Sequence, residues 1–159
     1  MSETVEQVAR QLRTNYDRLS NGDKAVLRRC QSVDDVLLEG AFWRSTAGIS
    51  PGSVAPLRWL AQLVLLFGTA EQLRTRQSPF RFGRFLARHG IKEIRIRQLI
   101  HCRDPDELTA RTGRLLRHVE APVEWGVLGR DLRYFFSSDQ ARQRWTQDYF
   151  TAGAEEKEG

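Results

Sequence analysis

The chain has 159 residues, of which 40% are hydrophobic and 28% charged, and its 25 basic and 20 acidic side chains leave a formal net charge of +5. That length fits one compact domain, or two small helical subdomains sharing a core, and excludes a large multidomain enzyme. The apolar share excludes a disordered chain, and the longest apolar run, 57–67, is cut by Arg58 and Gln62 and falls short of the roughly 18 residues that a bilayer span requires.

Val5, Val8, Leu12, Tyr16 and Leu19 recur at steps of three and four and predict an amphipathic helix over 2–20, ended by Asn21-Gly22. Asp23 is suited to cap a short helix through Arg29, and Ser32 with Asp35 makes a capping box for a third that runs to Ala41-Phe42-Trp43. A Gly-, Ser- and Pro-rich loop follows from Ser45 to Pro56. Leu57 to Phe67 is apolar on several faces, which predicts a central helix surrounded by others. A second connector spans Gly68 to Pro79. Ser78 and Pro79 start another helix and Gly90 stops it. Ile91 to Cys102 alternates briefly like a strand, yet nothing else in the chain offers a partner, so helix is expected there too. Asp104, Pro105 and Glu107 begin a helix that buries Leu108, Thr112, Leu115, Leu116 and Val119 and ends before Pro122. Trp125, Leu128, Leu132 and Phe135 mark the next. Ser138 is placed to cap the last, with Ala141, Trp145 and Tyr149 inward, and the polar residues 151–159 are expected to be disordered. The fold class is all-α, with about eight helices and no internal repeat.

Cys30 and Cys102 stand alone, without a CxxC pair, and no His or Cys cluster suits a structural zinc, so the fold is expected to rest on its apolar core with no metal or cofactor. No secretory signal is visible at Met1-Ser2-Glu3, which places the protein in the cytoplasm with no membrane partner. His101-Cys102 is no nucleophile and base, because helix neighbours point about 100° apart. With no phosphate-cradling glycine loop either, and so no small-molecule substrate implied, the chain reads as non-enzymatic.

The cations are unevenly spread. Residues 1–73 carry eight basic and eight acidic side chains, whereas 74–150 carry sixteen against nine, and the final nine residues add one lysine and three glutamates. Of the 25 basic residues all but Lys24, Lys92 and Lys157 are arginine, whose planar fork of donors suits phosphate. A polyanion-binding surface is expected on the second half, with nucleic acid as the polyanion. Arg111, Arg114 and Arg117, at steps of three, read as a phosphate-tracking ridge, and Arg95, Arg97, Arg103, Arg142 and Arg144 can pool with it. Phe80, Phe82 and Phe85 read as core rather than as base-stacking platforms, and Trp43, Trp59, Trp125 and Trp145 fall on buried stripes. A second reading is a stand-alone helix-turn-helix regulator, with Gly90 in the turn and Lys92 to Cys102 as the recognition helix bearing Arg95 and Arg97.

The order of segments resembles the CasB family, the small subunit of the type I-E CRISPR Cascade complex, over nearly the whole chain. The resemblance rests on Asn21-Gly22-Asp23-Lys24-Ala25-Val26-Leu27-Arg28-Arg29, Ala41-Phe42-Trp43-Arg44, the run from Gly83-Arg84 through Ala87 to Gly90, and Arg95 with Gln98-Leu99-Ile100. It continues through Arg114-Leu115-Leu116 with His118, Glu124-Trp125, Arg130 to Leu132, and Asp148-Tyr149-Phe150. It implies two packed helical bundles, here 1–90 and 91–152 before an acidic tail at 153–159. It also implies a non-catalytic protein, present in two copies, that contacts the other Cascade subunits within the crRNA-containing complex. Its basic residues would hold DNA, notably the displaced non-target strand of the R-loop. The positions that match the family's basic residues are Arg28 or Arg29, Arg95, Arg114, Arg142 and Arg144, while Arg58, Arg97, Arg103, Arg111 and Arg117 come from the charge pattern alone.

Overall fold

The computed structural model describes residues 4–69 and 80–158, with side chains through Ala152. Among the described residues there are ten helices and no strand: α1 (Val5–Asp17), α2 (Asn21–Arg29), α3 (Val33–Leu37), α4 (Gly40–Ser45), α5 (Leu57–Thr69), α6 (Phe82–Arg88), α7 (Glu93–Ile100), α8 (Pro105–Val119), α9 (Trp125–Tyr134) and α10 (Gln140–Glu158). The all-α expectation holds.

α5 is the hub. Its Leu60, Leu63, Val64, Leu66 and Phe67 are buried, and α1, α2, α3, α8 and α9 pack around it. Burying each such side chain favours folding by roughly 1.5–3 kcal/mol, which offsets part of the entropy lost on ordering the chain. Two further seams bring backbones close. On α9, a Cβ at Gly129 would lie 2.7 Å from the Cβ of Ala9 on α1, so only glycine lets these helices approach this far. On α6, a Cβ at Gly83 would collide with the backbone carbonyl of Trp145 on α10, which cannot move aside as a side-chain tip would. The α1–α9, α6–α10 and α5–α8 pairs all join residues on opposite sides of Gly90, and their buried side chains form one connected core.

Local chemistry accounts for the helix starts. Thr4 accepts from Gln7 N–H while the Gln7 side chain accepts from Thr4 N–H, a complete capping box for α1. The expected cap of α2 is corrected: Ser20, not Asp23, accepts from the Asp23 N–H, so Asn21-Gly22 begins a helix instead of ending one. The Asp23 carboxylate is thereby released to take a two-pronged hydrogen bond from Arg44 on α4, at 2.8 and 2.6 Å. Ser32 does cap α3, but Asp35 reaches Gln31 N–H instead of completing a box. The single helix expected from Ser32 to Trp43 is two, because Glu39 turns extended at φ −98°, ψ 131°. That break leaves Trp43 49% exposed, against the expectation that it is core; its indole N–H donates to the Leu37 carbonyl.

The other tryptophans and Phe80, Phe82 and Phe85 are buried as expected. Residues 91–102 contain α7, with Ile96 and Leu99 buried and Ile94 exposed, and no strand. Ser78, Pro79 and most of the second connector lie outside the described residues; α6 begins at Phe82, after an extended Arg81. Gly90 ends that turn at φ +77°, a conformation that favours glycine. α10 runs on through Glu158, across the stretch expected to be disordered.

Candidate nucleic-acid interface

α8 positions the central arginines. Asp104 caps it by accepting from Glu107 N–H at 2.8 Å, Pro105 supplies the pre-set first turn, and Leu108, Thr112, Leu115 and Leu116 turn inward. Each step of three residues falls about 60° short of a full turn, so Arg111 and Arg117 end about 120° apart around the helix. The ridge therefore divides. Arg111 lies toward α7, with Nε 3.3 Å from Glu107 Oε1 and Nη1 3.4 Å from Gln98 Oε1. The Arg103 N–H and then the Arg111 guanidinium hold the Glu107 carboxyl below the ordinary value.

Arg114 and Arg117 turn the other way and line a groove of about 630 Å³ between α2, α5 and α8, where Arg28 and Arg29 stand in the last turn of α2. Two α2 cations there complement the negative end of that helix. All four arginines are exposed. Among the described residues no carboxylate pairs with Arg29, Arg114 or Arg117, whereas most of the other described arginines, Arg28 among them, are engaged. The guanidiniums of Arg29, Arg114 and Arg117 around this depression can donate to phosphate oxygens in the two-pronged geometry that lysine cannot reproduce.

The remaining expected site residues lie elsewhere. Arg58 is 2.8 Å from Asp34 and 3.8 Å from Asp106, and those two carboxylates neutralise it. Arg97 pairs with Glu93 at 2.7 Å on the same face of α7. Arg95 and Arg103 are exposed, apart from the groove. Arg142 is half-buried over the rings of Phe135 and Phe136, at 4.7 and 5.3 Å, and donates to the Cys102 carbonyl, so it fastens α10 to neighbouring segments. Arg144 donates to Asp131 at 2.8 Å, and this buried carboxylate also accepts from Arg130 and from the Trp145 indole N–H. α6, the Gly90 turn and α7 do form two helices around a turn, but Glu93 offsets Arg97 on the face that would enter a groove of DNA.

Nothing in the residue pattern singled out the depression itself. Leu65, Gly68, Thr69 and Gly113 make its floor, and they read in sequence only as parts of apolar helices. Pairing of arginines with distant carboxylates, such as Arg10 with Glu124 and Arg81 with Asp148, likewise has no local signal.

His101 is exposed and Cys102 buried, with the thiol donating to the Gln98 carbonyl. Burial above all, then the Glu107 carboxylate, pushes the Cys102 thiol up to about 11. At neutral pH it is therefore protonated, and the thiol form is a poor nucleophile. Iodoacetamide at pH 7 is expected to leave Cys102 unlabelled in the folded chain and to label it in urea, as peptide mass mapping would show. Cys102→Ser and His101→Ala should likewise retain nucleic-acid binding. Among the described residues, no group of three or more His, Cys, Asp or Glu side chains is placed to hold a metal ion, and no helix is long and apolar enough to cross a membrane.

The family model of CRISPR-associated protein Cse2 matches residues 23–150. Among solved structures, a chain in the crystal structure of E. coli Cascade bound to a PAM-containing dsDNA target is similar with a TM-score of 0.78 and 28% identity, over 91% of this chain and 97% of that one. No curated protein sequence matches the chain.

Proposed function

The chain belongs to the CRISPR-associated Cse2 family, and we propose that it is a non-catalytic structural subunit of a Cascade-type RNA-guided complex whose arginine groove steadies the displaced non-target strand of the R-loop. The observation that carries this reading is the convergence of Arg28, Arg29, Arg114 and Arg117 on one depression, since a strand recognised by its backbone needs clustered cations and no base-specific donors. The likeness over 91% of the chain to a subunit of a complex bound to double-stranded DNA supports the same assignment. Its partners are then the other subunits, a second copy of itself and DNA, with guide pairing reading the target sequence elsewhere. It takes no cofactor and works in the cytoplasm. An operator-specific regulator gains nothing from four arginines outside the α6–α7 pair.

Heteroduplex formation is nearly balanced against the duplex it replaces, so a few phosphate contacts on the displaced strand tip the equilibrium. In a reconstituted complex, alanine at the four groove positions should shorten R-loop lifetime on a full target and leave it unchanged on a target whose non-target strand is omitted. Equal shortening on both would assign these arginines to assembly or to the target strand. Arg142→Ala and Arg144→Ala, by contrast, should act through stability, because their guanidiniums are occupied within the fold.

A further inference from the structure

We infer that the floor of the arginine groove receives an unstacked base of a single strand whose phosphates lie on the rim. This rests on the reading that the groove holds nucleic acid, and adds what part of the strand goes where.

Rim and floor differ in chemistry. The rim carries the guanidiniums of Arg28, Arg29, Arg114 and Arg117. The floor is formed by Leu65, Gly68 and Thr69 in the last turn of α5 and by Gly113 of α8, none of them charged. α2 ends at this depression, at Arg29, and directs the negative, carbonyl end of its dipole to the side where Arg28 and Arg29 stand. A phosphate is thus drawn to the guanidiniums of the rim, whereas the uncharged floor suits the apolar face of a base. The planar guanidiniums above it can also lie flat on a base. A duplex keeps its bases paired and stacked, so its phosphates reach the rim but no base enters the floor. A displaced strand has unpaired bases to place there.

Ala110 provides a test that leaves every charge in place. It is exposed on α8 and lines the same groove, so Ala110→Leu keeps a strong helix former while filling the space above the floor. The full chain is titrated with two labelled strands of equal length and charge, oligodeoxycytidylate and its abasic counterpart, by fluorescence anisotropy. Wild type should bind the base-bearing strand about tenfold more tightly, the gain expected when roughly 50 Å² of apolar surface leaves water. Ala110→Leu should remove that preference with the abasic affinity unchanged, and Arg114→Ala with Arg117→Ala should weaken both strands alike. Equal affinity of wild type for the two strands, with the arginine dependence intact, would overturn the base-binding floor and leave the phosphate-binding groove standing. Absence of any arginine-dependent binding to either strand would overturn both.

Discussion

Alanine at Arg29, Arg114 and Arg117 together is expected to lower single-strand affinity by roughly two orders of magnitude at about 0.1 M salt, and to flatten the log–log salt dependence by about 2. Each phosphate neutralised on a single strand releases counterions and contributes about 0.7 to that slope. At about 0.1 M salt one such contact is worth roughly fivefold in affinity, and three independent contacts multiply. The three positions are exposed and alanine is the better helix former, so the variant should fold. Arg58→Ala is the internal control. Its guanidinium already lies between Asp34 and Asp106, so removing it changes local charge without freeing or losing a phosphate donor, and slope and affinity should barely move. Anisotropy titrations across a salt series decide the matter. An unchanged slope in a folded triple variant would remove the groove as the phosphate site, and a large loss for Arg58→Ala would mean that total charge, not its placement, governs binding.

The contrast between Arg58 and Arg114 also shows how far the sequence could be read. The helices were legible because their signals are local: Asp104-Pro105 announces α8, and the repeat of Val5, Val8, Leu12 and Tyr16 draws the buried face of α1. Where two local signals competed, the reading slipped. Ser20 and Asp23 are both good caps three residues apart, and the Ser32 cap gave no notice that Glu39 would turn extended and split the segment. Arginine roles depend on partners far away in the chain. Spacing shows that Arg111, Arg114 and Arg117 share a helix, but only the packing of α7 and α2 on either side of α8 sends Arg111 to Gln98 and the other two into the groove. Likewise nothing near Arg144 foretells that Asp131 and Trp145 will claim it. The concentration of cations in the second half was real in sequence, yet the groove draws half its arginines from α2 in the neutral first half.

Glu124→Ala is expected to lower unfolding free energy by about 3 kcal/mol, the largest effect of any single substitution considered, because one buried carboxylate both caps α9 and takes Arg10 of α1. It caps α9 by accepting from the N–H groups of Gly126 and Val127 at 3.1 and 2.7 Å, and it takes Arg10 Nε at 2.7 Å from α1. Loss of the cap costs about 1 kcal/mol, and the Gly126 N–H, buried with no other acceptor among the described residues, adds about 1–3 kcal/mol. Arg10 is half-exposed and recovers water, so its loss adds little. Burial alone would push the Glu124 carboxyl up, but the hydrogen bond from Arg10 and those from the Val127 and Gly126 N–H groups outweigh it and hold the group below its ordinary 4.5. A carboxyl depressed on folding contributes stability that is fully present above its unfolded value and is lost as pH falls through the folded one. Urea unfolding of wild type should therefore weaken below about pH 4.5 by an increment that Glu124→Ala lacks, and the two stability curves should converge on acidification. Glu124→Gln, which keeps an acceptor for the helix but no charge for Arg10, should fall between them at neutral pH and share the alanine variant's flatter acid limb. Parallel curves for wild type and Glu124→Ala across that range would mean that the carboxylate is not held ionised by this seam, and that α1 and α9 are joined by their apolar packing without it.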